Sequence, residues 1–226
     1  MLQLLLAALF FTGIHVVVSG TRLRDALLAR FGERAFRAGF SLLSLFGLGW
    51  LVQAYRGAPY IETWGQLIWF KPVAVALMLP AFLLAVIGLT TPGPTAVGGE
   101  GQLQREEPAR GILRVTRHPF LWGVALWALL HLIGNGDLAA LVLFGSFLVL
   151  VLVGTRSIDA KRRWAWGEHW ERFAAVTSNL PFVAIGQGRN VWKPREIGGW
   201  RPALAVLLYL LVLHFHARWF GVSPWP

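Results

Sequence analysis

Histidines are the side chains of this sequence whose positions say most about chemistry. All but His118 and His169 interrupt long apolar stretches, and the full set is His15, His118, His131, His169, His214 and His216. An ionisable side chain at membrane depth is costly, so it usually faces the interior of a helix bundle, where it binds a ligand or relays protons. Imidazole is a common metal and haem ligand. The histidines therefore indicate either a cofactor site or interhelical hydrogen bonds.

A second informative element is the sequence Thr116-Arg117-His118-Pro119. Proline favours the first turn of a helix, because the N–H that it lacks would be unbonded there anyway. A helix N-terminus that carries an arginine and a histidine can bind a carboxylate, a phosphate or a propionate. The alternative is that Arg117 only anchors the helix at the lipid headgroups.

The stretch from Asp159 through Phe182 alternates aromatic with basic residues. Its aromatic members include Trp164, Trp166, Trp170 and Phe173. The pattern predicts an amphipathic segment at the cytoplasmic membrane interface, with rings at headgroup level and basic side chains on anionic lipid. The segment could also cap a pocket beneath the Arg117–His118 turn.

These residues must be positioned by membrane-spanning helices, since the chain is 56% hydrophobic and only 14% charged. Soluble domains have roughly 25% charged residues. A span needs about 20 apolar residues, with roughly 17 as the short limit. We predict six spans, at Leu2–Ser19, Phe36–Tyr55, Phe70–Thr90, Pro119–Leu132, Leu138–Thr155 and Pro202–Phe220. The fourth reaches the limit only if it continues to about Asn135.

The basic residues assign a side of the membrane to each loop. Of the 21 Lys and Arg residues, 18 follow the first, third or fifth span, and the others are Arg56, Lys71 and Arg218. Cytoplasmic loops carry the excess of Lys and Arg, so we predict that both termini lie outside the cytoplasm. The basic loops also explain the net charge of +10, and no nucleic-acid partner is expected. Residues 1–226 are thus predicted to form one all-α integral membrane domain in contact with lipid.

Depth within the spans limits which histidines could share one ion. His15 lies on the cytoplasmic side of the middle of its span, and His131 lies on the outer side. The offset is on the order of 10 Å at 1.5 Å per residue. By depth alone, His131 pairs more easily with His214, and His15 pairs more easily with His118. The spacing permits a site with two histidine ligands but does not select them.

Several motifs, in this order and spacing, resemble the NnrU family of membrane proteins. They are Phe10-Phe11-Thr12-Gly13-Ile14-His15, Phe31-Gly32-Glu33-Arg34-Ala35-Phe36-Arg37, Thr116-Arg117-His118-Pro119, and Trp127-Ala128-Leu129-Leu130-His131-Leu132 with Asn135-Gly136-Asp137. The resemblance covers residues 1–182, which leaves 183–226 as an extension with the last span. The family is associated with nitrogen-oxide metabolism and denitrification in bacteria. It is similar to the plant 15-cis-ζ-carotene isomerase, an integral membrane enzyme that carries haem b.

The resemblance implies a haem b protein of the bacterial inner membrane, with both termini periplasmic. It implies His15 and His131 as the axial ligands, although depth alone favours other pairs, and it leaves His118 and His214 as reserve ligands. Arg117 and His118 are expected near the cofactor, where Arg117 could pair with a propionate. The implied activity is redox-controlled isomerisation of a small apolar, polyene-like substrate, or the sensing or processing of a nitrogen oxide.

The C-terminal part also resembles isoprenylcysteine carboxyl methyltransferase-like proteins. The matching residues are Gly167, Trp170, Phe173, Leu180 and Pro181. Those enzymes also have an Arg-His-Pro element, which helps to bind S-adenosylmethionine. The alternative function is therefore an S-adenosylmethionine-dependent membrane methyltransferase, and the residues expected near its cofactor are Arg117, His118, Trp170 and Arg172. A third alternative is a non-catalytic assembly or regulatory membrane factor with purely structural histidines.

Overall fold

The computed structural model of the chain is described for residues 1–18, 23–96 and 98–226. In these ranges the secondary structure is helical, with loops and turns between the helices and an isolated bridge between Glu62 and Asp137. The helices are α1 (Leu2–Gly13), α2 (Leu23–Arg56), α3 (Lys71–Thr90), α4 (Pro119–Asn135), α5 (Leu138–Val176), α6 (Val183–Gly186) and α7 (Trp200–Phe220), and a π-helical turn, Ile14–Val18, follows α1. The predicted all-α membrane architecture is confirmed. Ser19, which ends the first predicted span, and Arg22 of the first basic loop lie outside the described residues.

Among the described residues, four helices are long and apolar enough to cross a membrane, and they are Leu23–Arg56, Ile68–Thr90, Leu138–Val176 and Trp200–Phe220. Two shorter apolar helices, Leu2–Val18 and Pro119–Asn135, fall at the short limit of about 17 residues. Each predicted span coincides with one of these six helices. The fourth does continue to Asn135. The count of six spans itself stays a prediction.

Two of the long helices are interrupted at glycines. Gly32 in α2 has φ 78°, and Gly167 in α5 has φ 46°. A side chain with a Cβ rarely adopts these positive φ values, so glycine is the residue that suits both interruptions. Residues 159–166 of the charged amphipathic segment therefore continue the fifth span, and the residues after the interruption at Gly167 form a second helical piece.

The aromatic residues of that segment divide into a surface group and a buried group. Trp164 is 89% exposed, as expected for a ring at headgroup level. By contrast, Trp170 and Phe173 are fully buried and pack against Leu103 and Ala109. The prediction that the aromatics of this segment lie at the headgroups is therefore wrong for Trp170 and Phe173, which form a hydrophobic core with a preceding loop.

The described residues form two compact units, and each unit draws on two stretches of the chain. The first contains Met1–Leu67 and His131–Gly154, and the second contains Ile68–Leu130 and Thr155–Pro226. In the first unit, α1 packs along α2, with the ring of Phe10 against those of Phe46 and Trp50. In the second unit, α3 packs along α7.

Contacts within each unit join loops that the charge pattern predicts on the same side of the membrane. In the first unit, the backbone N–H groups of Thr63 and Gly65 donate to Gly136 O at 2.9 and 3.0 Å, and both loops are predicted to lie outside the cytoplasm. In the second unit, Arg117 N donates to Ser178 O at 3.0 Å, and both residues are predicted on the cytoplasmic side. These contacts agree with the predicted alternation of sides.

Small residues allow α3 and α4 to approach closely within the second unit. A Cβ added to Gly123 would stand 2.6 Å from Ala85 N, and one added to Gly88 would stand 2.5 Å from Phe120 N. In lipid, helices associate through close van der Waals packing, so small residues are favoured where they cross. The two glycines thus fix the beginning of α4 against α3.

Replacing Gly123 by alanine should destabilise the protein by about 1–3 kcal/mol, because the added methyl group would collide with backbone atoms of α3. Thermal unfolding of the purified protein in mild detergent measures the effect. Gly145→Ala is the matched control, since Gly145 lies in α5 with no neighbouring atom within 4 Å of the new Cβ. Equal melting temperatures for the two variants would contradict the close helix crossing.

Candidate functional site

The polar centre of the second unit is the carboxylate of Asp159, which is bound by Arg117 and His118. Arg117 Nε and Nη2 donate to Asp159 Oδ2 at 2.9 and 2.7 Å, and His118 Nε2 donates to Oδ1 at 2.7 Å. The side chain of His118 is 1% exposed, and those of Arg117 and Asp159 are 15% and 14% exposed. Charge-assisted hydrogen bonds are about twice as strong as neutral ones, and low exposure limits screening by water.

Local hydrogen bonds give the turn before α4 its shape. Thr116 Oγ1 accepts a hydrogen bond from His118 N at 3.2 Å and donates to Asn179 O. Trp122 Nε1, one turn into the helix, donates to Asn179 Oδ1 at 3.2 Å. Pro119 begins α4, as predicted. The Arg-His-Pro element is therefore joined through side chains and backbone to the segment that follows α5.

The anion that Arg117 and His118 bind in the structure is a carboxylate of the chain itself. From the sequence we expected a bound carboxylate, phosphate or propionate beside Arg117 and His118, and we did not single out Asp159. One signal could have identified it: Asp159 is one of only 11 acidic residues, and it closely follows the fifth predicted span. A carboxylate at such a position needs a cationic partner on the same side of the membrane.

His15 lies in the first unit, within the π-helical turn Ile14–Val18. Its Nδ1 donates to Phe11 O at 2.7 Å, so Nε2 is the ring nitrogen that carries the lone pair. The ring packs against Phe11 and Phe40, with centroid distances of 4.6 and 5.3 Å. A hydrogen bond from one ring nitrogen to a carbonyl is the arrangement that orients metal-binding imidazoles. Short π-helical segments are also frequent at functional sites.

His131 lies in the same unit and stacks on Phe144, with ring centroids 4.9 Å apart and an interplanar angle of 23°. Phe147, three residues further along α5, contacts Phe11 with centroids 5.6 Å apart. Residues three apart share a face of a helix. One face of α5 therefore carries Phe144, which contacts His131, and Phe147, which contacts Phe11. Phe11 is also the ring on which His15 packs.

The two reserve ligands lie in the second unit. His118 is bound to Asp159, while His214 is an exposed residue of α7 whose ring contacts Phe215 at 4.7 Å. Within residues 1–18, 23–96 and 98–226, no group of three or more His, Cys, Asp or Glu is placed to hold a metal ion. A site with two histidine ligands does not require such a group.

Of the residues expected near S-adenosylmethionine, the structure brings three together. The guanidinium of Arg117 lies 5.8 Å from the centroid of the Trp170 ring, and His118 shares its carboxylate partner with Arg117. Arg172 is exposed. The contact between Arg117 and Trp170 is a cation–π interaction, which contributes to the packing of this region.

A second buried ion pair involves a residue that we had counted only as a loop charge. Arg114 is 5% exposed. Its Nε and Nη2 donate to the two carboxylate oxygens of Glu196 at 2.8 and 2.9 Å, its Nη1 donates to Asn190 Oδ1 at 2.7 Å, and Glu107 is a further partner. The hydrogen bond from Arg114 lowers the pKa of Glu196 to about 2 despite the opposing effect of burial, and the N–H of Gly111 adds to this lowering.

Apolar helices of this length, with buried ion pairs at their ends, define a polytopic helical membrane protein. The NnrU protein family matches residues 3–224, and the chain belongs to this family, as the sequence motifs predicted. The match also includes residues 183–224, most of the segment 183–226 that we had set apart as an extension.

Two curated relatives share a name. The 15-cis-ζ-carotene isomerase (chloroplastic) of Arabidopsis thaliana is 28% identical over 193 residues, and that of Zea mays is 28% identical over 200 residues. Each alignment covers 83% of this chain and 51% of the relative. The chain thus spans about half the length of these relatives. No solved structure matches it.

Asp159→Asn should destabilise the protein by about 3 kcal/mol, because it leaves the guanidinium of Arg117 without its counter-ion in a largely buried position. Chemical or thermal unfolding in detergent gives the difference. The control is Asp25→Asn, which removes an exposed carboxylate 3.6 Å from Arg24 and should cost no more than about 1 kcal/mol. Similar losses in both variants would show that Asp159 does not organise this turn.

The lowered pKa of Glu196 predicts a loss of stability in acid. Its folded pKa of about 2 lies below the ordinary 4.5, so the folded state binds fewer protons than the unfolded state between these values. The stabilisation is therefore present above pH 4.5 and disappears as the pH falls towards 2. Melting temperatures recorded from pH 7 down to 3 should fall more steeply for the wild type than for Glu196→Gln. Parallel curves would contradict this.

Proposed function

We propose that this chain is a membrane protein that binds haem b through His15 and His131 and isomerises an apolar, polyene-like substrate. The observation that carries the haem proposal is the hydrogen bond from His15 Nδ1 to Phe11 O at 2.7 Å, because it keeps the lone pair of Nε2 available for iron. The isomerisation proposal is supported by membership of the NnrU family and by the two relatives that are named 15-cis-ζ-carotene isomerase.

The residues present suit this cofactor. Imidazole is an established axial ligand of haem iron, and the chain contains no cysteine that would offer a thiolate instead. The aromatic rings of Phe11, Phe40 and Phe144 surround the two histidines, as expected for a mainly apolar site. When bound, haem supplies a redox-active iron that can interact with an electron-rich double bond.

The protein's own residues have distinct roles in this proposal. His15 and His131 would hold the iron, and the rings beside them would restrict the imidazoles and exclude water. Arg117 and His118 bind Asp159 and thereby hold the beginning of α4 in the second unit. The lipid hydrocarbon dissolves the apolar substrate. From the distribution of Lys and Arg, we further propose that both termini lie outside the cytoplasm. The family resemblance suggests a bacterial inner membrane, in which both termini would be periplasmic.

The absorption spectrum of the full chain, purified in mild detergent from cells supplied with haem, tests the proposal. We expect a Soret band that shifts on reduction with dithionite. His15→Ala and His131→Ala should each lose the band or change its position, because an axial ligand is removed. His169→Ala is the matched control, since His169 is an exposed residue of α5, and it should retain the wild-type spectrum.

Other results of these measurements would favour a different iron ligand or a different function. An unchanged spectrum in His131→Ala together with an altered one in His214→Ala or His118→Ala would replace His131 by a reserve ligand. A haem-free protein that binds S-adenosylmethionine would support a methyltransferase instead. If haem is bound, incubation with 15-cis-ζ-carotene in the dark, followed by chromatography of the isomers, tests the reaction. A spectrum that responds to nitric oxide, without any isomerisation, would favour nitrogen-oxide processing.

A further inference from the structure

An open pocket of about 510 Å³ in the second unit has an excess of positive charge along its wall. Its lining includes the guanidinium groups of Arg117, Arg163 and Arg189 but only one carboxylate, that of Glu171. The exposed side chain of Leu180 contributes apolar surface to the same lining. The pocket therefore suits a ligand that joins an anionic group to an apolar one.

The bend of α5 creates part of this pocket. Arg163 Nε donates to Glu171 Oε1 at 2.7 Å, although eight residues separate the two positions. On a straight helix, such residues would be about 12 Å apart along the axis, so the interruption at Gly167 allows them to meet. Both side chains are more than half exposed. Their ion pair therefore contributes little to stability, and an anion from solution or lipid can exchange for Glu171.

The arginines of the pocket also differ in how firmly the fold holds them. Arg189 is fixed, since its Nη1 donates to Ala175 O and Thr177 O at 2.6 and 2.9 Å. Arg163 binds Glu171 through Nε, and its two terminal nitrogens carry four further N–H groups. A planar guanidinium of this kind matches two oxygens of a phosphate. Arg163 is thus the side chain best suited to bind an incoming anion.

We propose that this pocket binds the phosphate of an anionic phospholipid headgroup, with Arg163 as its principal ligand. Exposed apolar side chains that could contact acyl chains are Leu180 in the lining and Phe182 two residues later. Basic pockets at the cytoplasmic ends of membrane helices attract anionic headgroups. Because Asp159 already compensates the charge of Arg117, the cations left for a ligand are Arg163 and Arg189, against the single carboxylate of Glu171. This excess of positive charge favours a lipid with net negative charge over a zwitterionic one.

Titration of the delipidated full chain with phosphatidylglycerol, and separately with phosphatidylcholine of the same chain length, tests the proposal. Lipid adducts in native mass spectra and the rise in melting temperature report binding. Phosphatidylglycerol should bind and phosphatidylcholine should not. Arg163→Gln should weaken binding about tenfold, because a charge-assisted hydrogen bond is lost. Glu171→Gln should strengthen binding several-fold, since it removes the competing carboxylate.

The control variants make the same charge changes on the same helix but outside the pocket lining. They are Arg172→Gln and Glu168→Gln, and both residues are exposed. Neither should alter the affinity for phosphatidylglycerol. If Arg172→Gln weakens binding as much as Arg163→Gln, or if Glu171→Gln does not strengthen it, the assignment to this pocket is wrong. Displacement of the lipid by millimolar inorganic phosphate would identify free phosphate as the ligand and overturn the lipid assignment.

Discussion

In the second unit, the beginning of α4 is held by the hydrogen bonds that connect Asp159 with Arg117 and His118. An ionised side chain in so little contact with water costs several kcal/mol unless a partner compensates it. Each of these three residues therefore needs the others. The surrounding structure is arranged around that requirement, because Ser178 O accepts from the backbone of Arg117 and the Trp170 ring lies beside its guanidinium. The buried Arg114–Glu196 pair is subject to the same requirement, because each buried charge needs the other as its partner.

The predictions from the sequence succeeded where local pattern decides the structure and failed where distant residues decide it. Apolar runs predicted the positions of the six apolar helices that coincide with the predicted spans, and Pro119 marked the start of α4. No local pattern connects Arg114 with Glu196, which lie 82 residues apart. Trp170 was likewise assigned to the headgroup region, because a tryptophan among basic residues is typical of a membrane interface. Its burial depends on a loop that periodicity cannot place.

The two candidate haem ligands illustrate how packing modifies an estimate made from depth alone. Counting residues along separate spans placed His15 and His131 on the order of 10 Å apart in depth. In the first unit, His131 stacks on Phe144 of α5, while His15 packs on Phe11, which in turn contacts Phe147 of the same helix. Phe144 and Phe147 differ by only about 4.5 Å along that helix. Depth counted along straight helices ignores tilt and the wider π-helical turn at His15. The contacts therefore connect both histidines with one helix, and their pairing as haem ligands stays a prediction.

After folding, some basic residues of the predicted cytoplasmic loops form buried ion pairs and others stay exposed, although the positive-inside rule counts them equally. Arg114 and Arg117 form ion pairs with carboxylates within the second unit, whereas Arg163 stays largely exposed at a pocket. This difference does not weaken the predicted topology, because charge bias acts while the helices insert, before buried ion pairs have formed. Only the basic groups that remain accessible can attract anionic lipid. The sequence charge therefore predicts orientation, and the structure decides which arginines remain available for binding.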